Sequence, residues 1–406
     1  MFALLQLNRF SQRLLLSFLP AIMLSFQARS QSVSEDNTLK IATFNVSMEA
    51  QNYALSKSVP LSAGILKAEL ASGDNQQIKN IAQIIQTVRP DIILLNEFDY
   101  ISNPEDGINA FKRNYLNKAQ NGKMPIDYPY YFVHTVNTGQ PSPFDLDNDG
   151  KAGQFGADAW GYGLYPGQYG MVILSRFPLD QSRIRTFQHF KWKDMPGALR
   201  TTKADGSDWY SPEAWAQFPL SSKSHWDVPV IVGGKTIHLL ASHPTPPSFD
   251  GAEDRNGKRN HDEIRFWNDY IHKDKSDYIY DDQGGKGGLP THSRFVILGD
   301  QNASPDEGNA ILSAIQNLLT DPLVLGQPAP QSEGAKLHSP TNKVSQYHTA
   351  VWRMRADYVL PSQFGFDLVD SGVFWPSPDS PHAALVATRT ASSDHRMVWV
   401  KVKILP

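Results

Sequence analysis

The stretch SRFVILGDQNASP, residues 293–305, runs from an apolar strand into a carboxylate, Asp300, and a carboxamide, Asn302. Alternate residues of an extended chain point the same way, so the two can address one point at the strand's C-terminal edge. Local structure offers a plainer account, because Asp and Asn end strands, and Ser304 or Asp306 can cap a helix over 307–319. Recurrence separates the two accounts. Asn45 lies at the end of LKIATFNVS, Glu97 at the end of DIILLNEFD and His243 after IHLLAS, while Asp357 opens DYVLPS and Asp394 and His395 precede RMVWV.

The residue types define a chemistry. Hard oxygens such as those of Glu97 and Asp394 suit Mg²⁺ or Mn²⁺, held by few carboxylates with the remaining positions left to water and a phosphate. A chain with no cysteine disfavours a structural zinc site. His395 backed by Asp357 can hold the tautomer that takes a proton from water. Asn45 and Asn302 can donate to phosphoryl oxygens as charge develops there. Hydrolysis of a phosphate ester uses all of these parts.

Hydrophobic periodicity predicts strands over 39–46, 91–96, 171–175, 228–232, 236–242, 294–299, 356–360 and 396–404. Helices are predicted over 76–87, around 260–271 and after Ser304, with Ile78, Ile81, Ile84, Ile85 and Val88 on one face of the first. Strands outnumber helices and no repeat is present, which implies two packed sheets flanked by helices. Three aromatic-rich segments, near 103–167, 187–226 and 250–290, read as ordered surface insertions. Lys223, His225, Arg255, Arg259 and Arg265 in the last two could contact a phosphorylated substrate, although ordinary salt bridges and packing account better for most of them.

Within the first insertion, DLDNDGKAG sets Asp145, Asp147 and Asp149 at alternate positions before Gly150, as in the first half of an EF-hand calcium loop. The twelfth position is Gly156, so the usual bidentate glutamate is missing and Asp158 is the nearest substitute. The loop is expected to hold a structural Ca²⁺; a solvated acidic turn is the alternative.

Residues 1–30 read as a secretory signal: Arg9 and Arg13, a 13-residue apolar run interrupted by Pro20, then small residues at Ala28 and Ser30. A spanning helix needs roughly 20 apolar residues, so export to the periplasm or medium is expected in place of membrane insertion. Without those residues, which include three arginines and no acid, 35 basic residues face 41 acidic ones, a balance of −6. That is not the charge of a protein gripping many phosphates. The remaining 31–406 are expected to form a single domain, with a monomer as the default state.

The ordered set Asn45, Glu97, YGMVILSRFP, His243, GDQN, DYVLPS and SDH resembles the endonuclease/exonuclease/phosphatase superfamily, which includes deoxyribonuclease I, apurinic endonucleases, neutral sphingomyelinases and inositol polyphosphate 5-phosphatases. The match spans about 39–404. The resemblance implies an α/β fold, a four-layer α/β/β/α sandwich of two mainly antiparallel or mixed sheets. It implies Asn45, Glu97 and Asp394 at a Mg²⁺ or Mn²⁺ ion and the phosphate. Asp300 and Asn302 would orient nucleophile and phosphoryl group, and His395, with Asp357 behind it, would bond the phosphate or activate water. His243, where deoxyribonuclease I has a second histidine, would protonate the leaving group. The substrate implied is a phosphorylated small molecule, or a nucleic acid if the chain is an extracellular nuclease. A catalytically idle, calcium-stabilised binding protein is the non-enzymatic alternative, and it has no chemical need for the whole set.

Overall fold

A computed structural model describes residues 37–54, 56 and 59–406; the signal-sequence expectation for residues 1–30 lies outside them. Among the described residues the strands, in chain order, are β1 (Thr38–Met48), β2 (Ile92–Phe98), β3 (Tyr130–Val133), β4 (Met171–Ser175), β5 (Arg185–Thr186), β6 (His225–Val232), β7 (Lys235–Ser242), β8 (Phe295–Asp300), β9 (Asp357–Pro361), β10 (Phe366–Val373) and β11 (Val398–Ile404). The helices are α1 (Ala63–Ser72), α2 (Gln76–Val88), α3 (Ile108–Phe111), α4 (Pro212–Gln217), α5 (Arg255–Tyr270), α6 (Leu312–Thr320) and α7 (Glu333–His338).

The strands form a six-stranded sheet ordered β10-β11-β1-β2-β4-β3 and a five-stranded sheet ordered β5-β6-β7-β8-β9. Both are mixed, with one parallel pair at the centre of each, β1 with β2 and β7 with β8. Helix α2 covers the outer face of the first sheet with Ile78, Ile81, Ile85 and Val88 buried, and starts where the Asn75 side chain accepts from the Ile78 N–H at 3.2 Å. Helices α5 and α6 cover the second sheet, burying Ile264, Trp267, Tyr270, Ile315 and Leu318. The result is the expected α/β/β/α sandwich. No helix among the described residues is long and apolar enough to cross a membrane.

Alternation along the strands sorts the side chains. Val296 and Leu298 of β8, Ile237, Leu239 and Ala241 of β7, and Val359 of β9 enter the core between the sheets. Leu240, Ile297, Tyr358 and Leu360 face the outer helices. Continuing those rows by two residues brings Asp300, His243 and Asp357 to the inner side. Topology then decides the edge: β1 and β2 end where β7 and β8 end, whereas β9 and β11 run antiparallel to their neighbours and start there.

Several expectations need correction. The helix placed at 307–319 starts at Leu312 without a side-chain cap. Ser304 Oγ instead accepts the Asp306 N–H at 3.3 Å in a turn, while Glu307 is drawn to His348 at 2.9 Å. The helix placed around 260 starts at Arg255, and α1 and β10 had no periodic signal. β10 is an edge strand with a register shift between Leu368 and Asp370, which breaks the alternation that marks a strand. The segment 103–167 includes β3, an edge strand of the first sheet.

Leu298 is fully buried between the sheets, two residues before Asp300. Leu298→Ala should destabilise the protein by about 2–5 kcal/mol, the range for a leucine truncated in a closed core. Urea unfolding of the two proteins measures this.

Candidate functional site

Asp300 is the point on which both sheets converge. Its Oδ2 accepts the Asn45 Nδ2 at 3.1 Å and lies 3.3 Å from His243 Nε2 and 3.5 Å from His395 Nε2. Its Oδ1 accepts the backbone N–H of Asn302 at 2.9 Å, and its own N–H donates to Asn96 Oδ1 at 3.2 Å. The strand therefore stops at Asp300. Asn302 does not continue the extended chain; it adopts a left-handed φ of 51° and folds back onto the aspartate, with its Nδ2 donating to the Pro244 carbonyl at 3.1 Å.

Behind His395, its Nδ1 meets Asp357 Oδ2 at 2.8 Å, and Thr349 Oγ1 donates to the same oxygen at 2.7 Å. Thr349 also accepts the N–H groups of Ala356 and Asp357 at 2.9 and 3.1 Å, so one hydroxyl holds the carboxylate and its strand. Asp357 pairs with His395, and neither Arg353 nor Arg355 takes part. Ser393 ties the last segment to β1: its hydroxyl donates to the Asn45 carbonyl at 2.7 Å and accepts the His395 N–H at 3.0 Å. Ser47 Oγ donates to Asp394 Oδ1 at 3.0 Å. The Trp352 ring stands edge-on to His395 at 4.7 Å.

Glu97 reaches the site through an irregularity. Asn45 pairs with Asn96, but Met48 pairs with Phe98, so β1 carries an extra residue there. Ser47 and Glu97 both take left-handed φ angles, 48° and 57°. Such conformations are strained for residues other than glycine and gather where a side chain must be re-aimed.

The electrostatics follow from burial and proximity. Burial opposes charge on His395, yet the carboxylates of Asp357 and Asp300 outweigh it and lift its pKa to about 10. Burial alone would raise Asp300, but the two imidazoles and the Asn302 N–H hold it well below the usual carboxylate range. Burial pushes Asp357 up to about 6 despite His395. His243 falls to about 4 through burial and the nearby Lys223. It is neutral in the resting site, and its Nδ1 is buried without a hydrogen-bond partner.

Burial and the charges of Asp394 and Asp300 push Glu97 up to about 7, although His395 and an Asn45 hydrogen bond oppose this. Glu97 and Asp394 are carboxylates that could hold a hard dication, which would offset the cost of burying the Glu97 charge. Asp300, Asp357 and His395 also bring ligand atoms within 4.8 Å of one another. In that trio the Asp357 carboxylate and His395 imidazole already bond each other.

The structure thus gathers Asn45, Glu97, His243, Asp300, Asn302, Asp357, Asp394 and His395 at one edge. Sequence reasoning missed Asn96, Thr349, Ser47 and Ser393; of these only Ser393, inside the SDH motif, carried a signal. Of the basic residues, Arg259 donates to the Leu220, Pro219 and Trp160 carbonyls. Arg265 is held by Asp269 and the Gly197 carbonyl, and His225 by Ser221 and the Glu263 carbonyl. These are structural staples. In the acidic loop, Asp145, Asp147 and Asp149 bring oxygens within 4.8 Å of one another. Asp158 is buried, and its two oxygens accept the Leu146 and Gln154 N–H groups at 2.7 and 3.0 Å, so it closes the loop.

Comparison with known proteins matches residues 42–395 to the Endonuclease/Exonuclease/phosphatase family. Comparison with curated proteins returns no match. Among solved structures, the chain is similar to an endonuclease/exonuclease/phosphatase from Beutenbergia cavernae DSM 12333, at 16% identity and TM-score 0.49 over 91% of this chain and 72% of that one. It is similar to the human Nocturnin catalytic domain with bound sulfate, at 13% and 0.42 over 92% and 96%. A beta toxin of Staphylococcus aureus with bound magnesium ions is similar at 14% and 0.42 over 89% and 98%.

His395 has a folded pKa above its unfolded value, so its interactions stabilise fully below about pH 6.5 and fade as pH climbs toward about 10. The melting temperature of metal-free protein should therefore fall across that window, and the fall should be shallower in His395→Asn. Parallel slopes for the two proteins would contradict the charged imidazolium.

Proposed function

The chain belongs to the Endonuclease/Exonuclease/phosphatase family, whose fold serves phosphoesterases and nucleases, and on that premise we propose that it is an exported, divalent-metal-dependent phosphoesterase. It cleaves a phosphate mono- or diester by in-line attack of water. The observation that supports this best is the buried chain Asp357–His395–Asp300–His243, closed at 2.8, 3.5 and 3.3 Å beside the buried Glu97.

Glu97 and Asp394, with Asn45 beside them, would hold Mg²⁺ or Mn²⁺, which when bound polarises a phosphoryl oxygen and offsets its charge. The other roles belong to the chain. Asn45 orients Asp300 and Glu97 together. Asp300, ionised, accepts a hydrogen bond from the attacking water, aligns it and takes its proton as the new P–O bond forms. His395, held protonated by Asp357, donates to the phosphoryl or leaving oxygen. His243 is neutral in the resting site, so the proton donation that the family resemblance implied for it is assigned to His395, and His243 anchors Asp300 through Nε2–H. Asn302 shapes the turn over the phosphoryl position. The balance of −6 supports a small phosphorylated substrate over a long nucleic acid.

With Mg²⁺, the protein should hydrolyse p-nitrophenyl phosphate or bis-p-nitrophenyl phosphate and stop on chelation; no turnover of either ester refutes the reading. His395→Ala should lower kcat by about 10²–10⁴-fold, the range for a positioned proton-transfer group. Mg²⁺ affinity should rise with pH through about 7 as the Glu97 proton leaves, and Glu97→Gln should abolish that rise in a calorimetric titration. The acidic loop is assigned a structural Ca²⁺. Calcium should raise the melting temperature of the wild type and leave Asp147→Ala unmoved.

A further inference from the structure

Lys223 stands apart from the other cations of the insertions. It is 5% exposed, yet among the described residues it takes part in no hydrogen bond through its side chain and no ion pair. Its ammonium is also absent from the buried polar atoms that lack a partner, so the small exposed part of the residue includes its tip. An ammonium taken this far out of water is costly unless an anion answers it.

The surroundings say where that anion would sit. Lys223 lies two residues before His225, which pairs with Ser242, and continuing that register sets it beside Pro244, next to His243. Its charge acts on His243, Glu97 and Asp300. Glu263 is the obvious counter-ion, but its two oxygens already accept the Ser222 and Thr245 N–H groups at 2.6 Å each, and it makes no ion pair with Lys223.

The backbone that presents the lysine is immobilised. The Lys223 carbonyl accepts the Asn137 N–H at 2.9 Å. The neighbouring Ser222 carbonyl presses so closely on Gly161 that a Cβ there would lie 1.9 Å from it.

We propose that Lys223 is a phosphoryl-binding cation of this site, donating from its ammonium to a non-bridging oxygen of the phosphate held between Glu97, Asp300 and His243. The inference rests on the phosphoesterase reading for its substrate class, but its observable is the binding of an anion. Burial lowers the lysine pKa below its ordinary value against the opposing pull of Glu263, Glu97 and Asp300; a bound phosphate adds to that opposing pull. A donor fixed in advance beside developing charge strengthens binding most where water is excluded.

The test is inorganic phosphate binding in the presence of Mg²⁺, read by calorimetry and by the phosphate-induced rise in melting temperature, for the wild type, Lys223→Met and Lys223→Arg. Loss of a charged hydrogen bond should weaken phosphate about ten- to a hundredfold in Lys223→Met, with partial recovery in Lys223→Arg. The melting temperature without phosphate should stay level or rise in Lys223→Met, since no protein partner is lost. Unchanged phosphate affinity in Lys223→Met overturns the inference, as does a wild type that binds no phosphate. Should neither variant fold, phosphate must still slow acetylation of Lys223 in the wild type by acetic anhydride; equal rates overturn it. A wild type that hydrolyses no ester yet binds phosphate through Lys223 keeps this inference and removes the phosphoesterase reading. Wild-type kcat/KM in Lys223→Met does the reverse.

Discussion

One buried carboxylate organises this site. Asp300 sits at the end of a central strand of the second sheet and takes a hydrogen bond from Asn45 of the first, with an imidazole on either side. Without those groups an ionised aspartate could not be kept at 1% exposure. With them it stays charged, and its charge in turn holds His395 protonated. The ionisation states and the packing of the two sheets at this edge are therefore one problem with one solution. Asn96 and Thr349 extend it outward by holding the strand and the partner carboxylate.

The same edge concentrates backbone strain. Ser47, Glu97 and Asn302 each adopt a left-handed φ, and the extra residue in β1 turns Glu97 out of the regular alternation. A straight β2 would present Glu97 and Asn96 to opposite faces. The bulge lets the strand serve two purposes: Asn96 secures Asp300, while Glu97 meets Asn45. Strain of this kind persists only where the surroundings over-determine it, and the core between the sheets supplies that rigidity.

The central strands and α2 were legible because their apolar runs and helical spacing are strong local signals; 171–175 was read to the residue. What escaped was weak in the same terms. Edge strand β10 is interrupted by a bulge, α1 has little contrast between its faces, and the approach to α6 is governed by Glu307 reaching His348 across the fold. At the site, residue type and the family resemblance named the eight side chains that the fold gathers at one edge. It was silent on Thr349 and Asn96, whose roles exist only through partners at sequence distances that no pattern records. Lys223 could be named among five basic residues but not distinguished from Arg259 or His225, since the difference lies in which of them the folded chain leaves without a partner.

Sequence alone determined that apolar strands end in oxygen and imidazole groups, and hence the expectation of hard cations and phosphate; those are properties of residue type and of a two-residue repeat. Tertiary structure decided which ends meet, which histidine carries the proton and which is neutral, and that Lys223 is buried with no side-chain partner among the described residues. Those outcomes depend on burial and on charges brought within a few ångströms from opposite ends of the chain, and neither distance nor dielectric environment is encoded in local order.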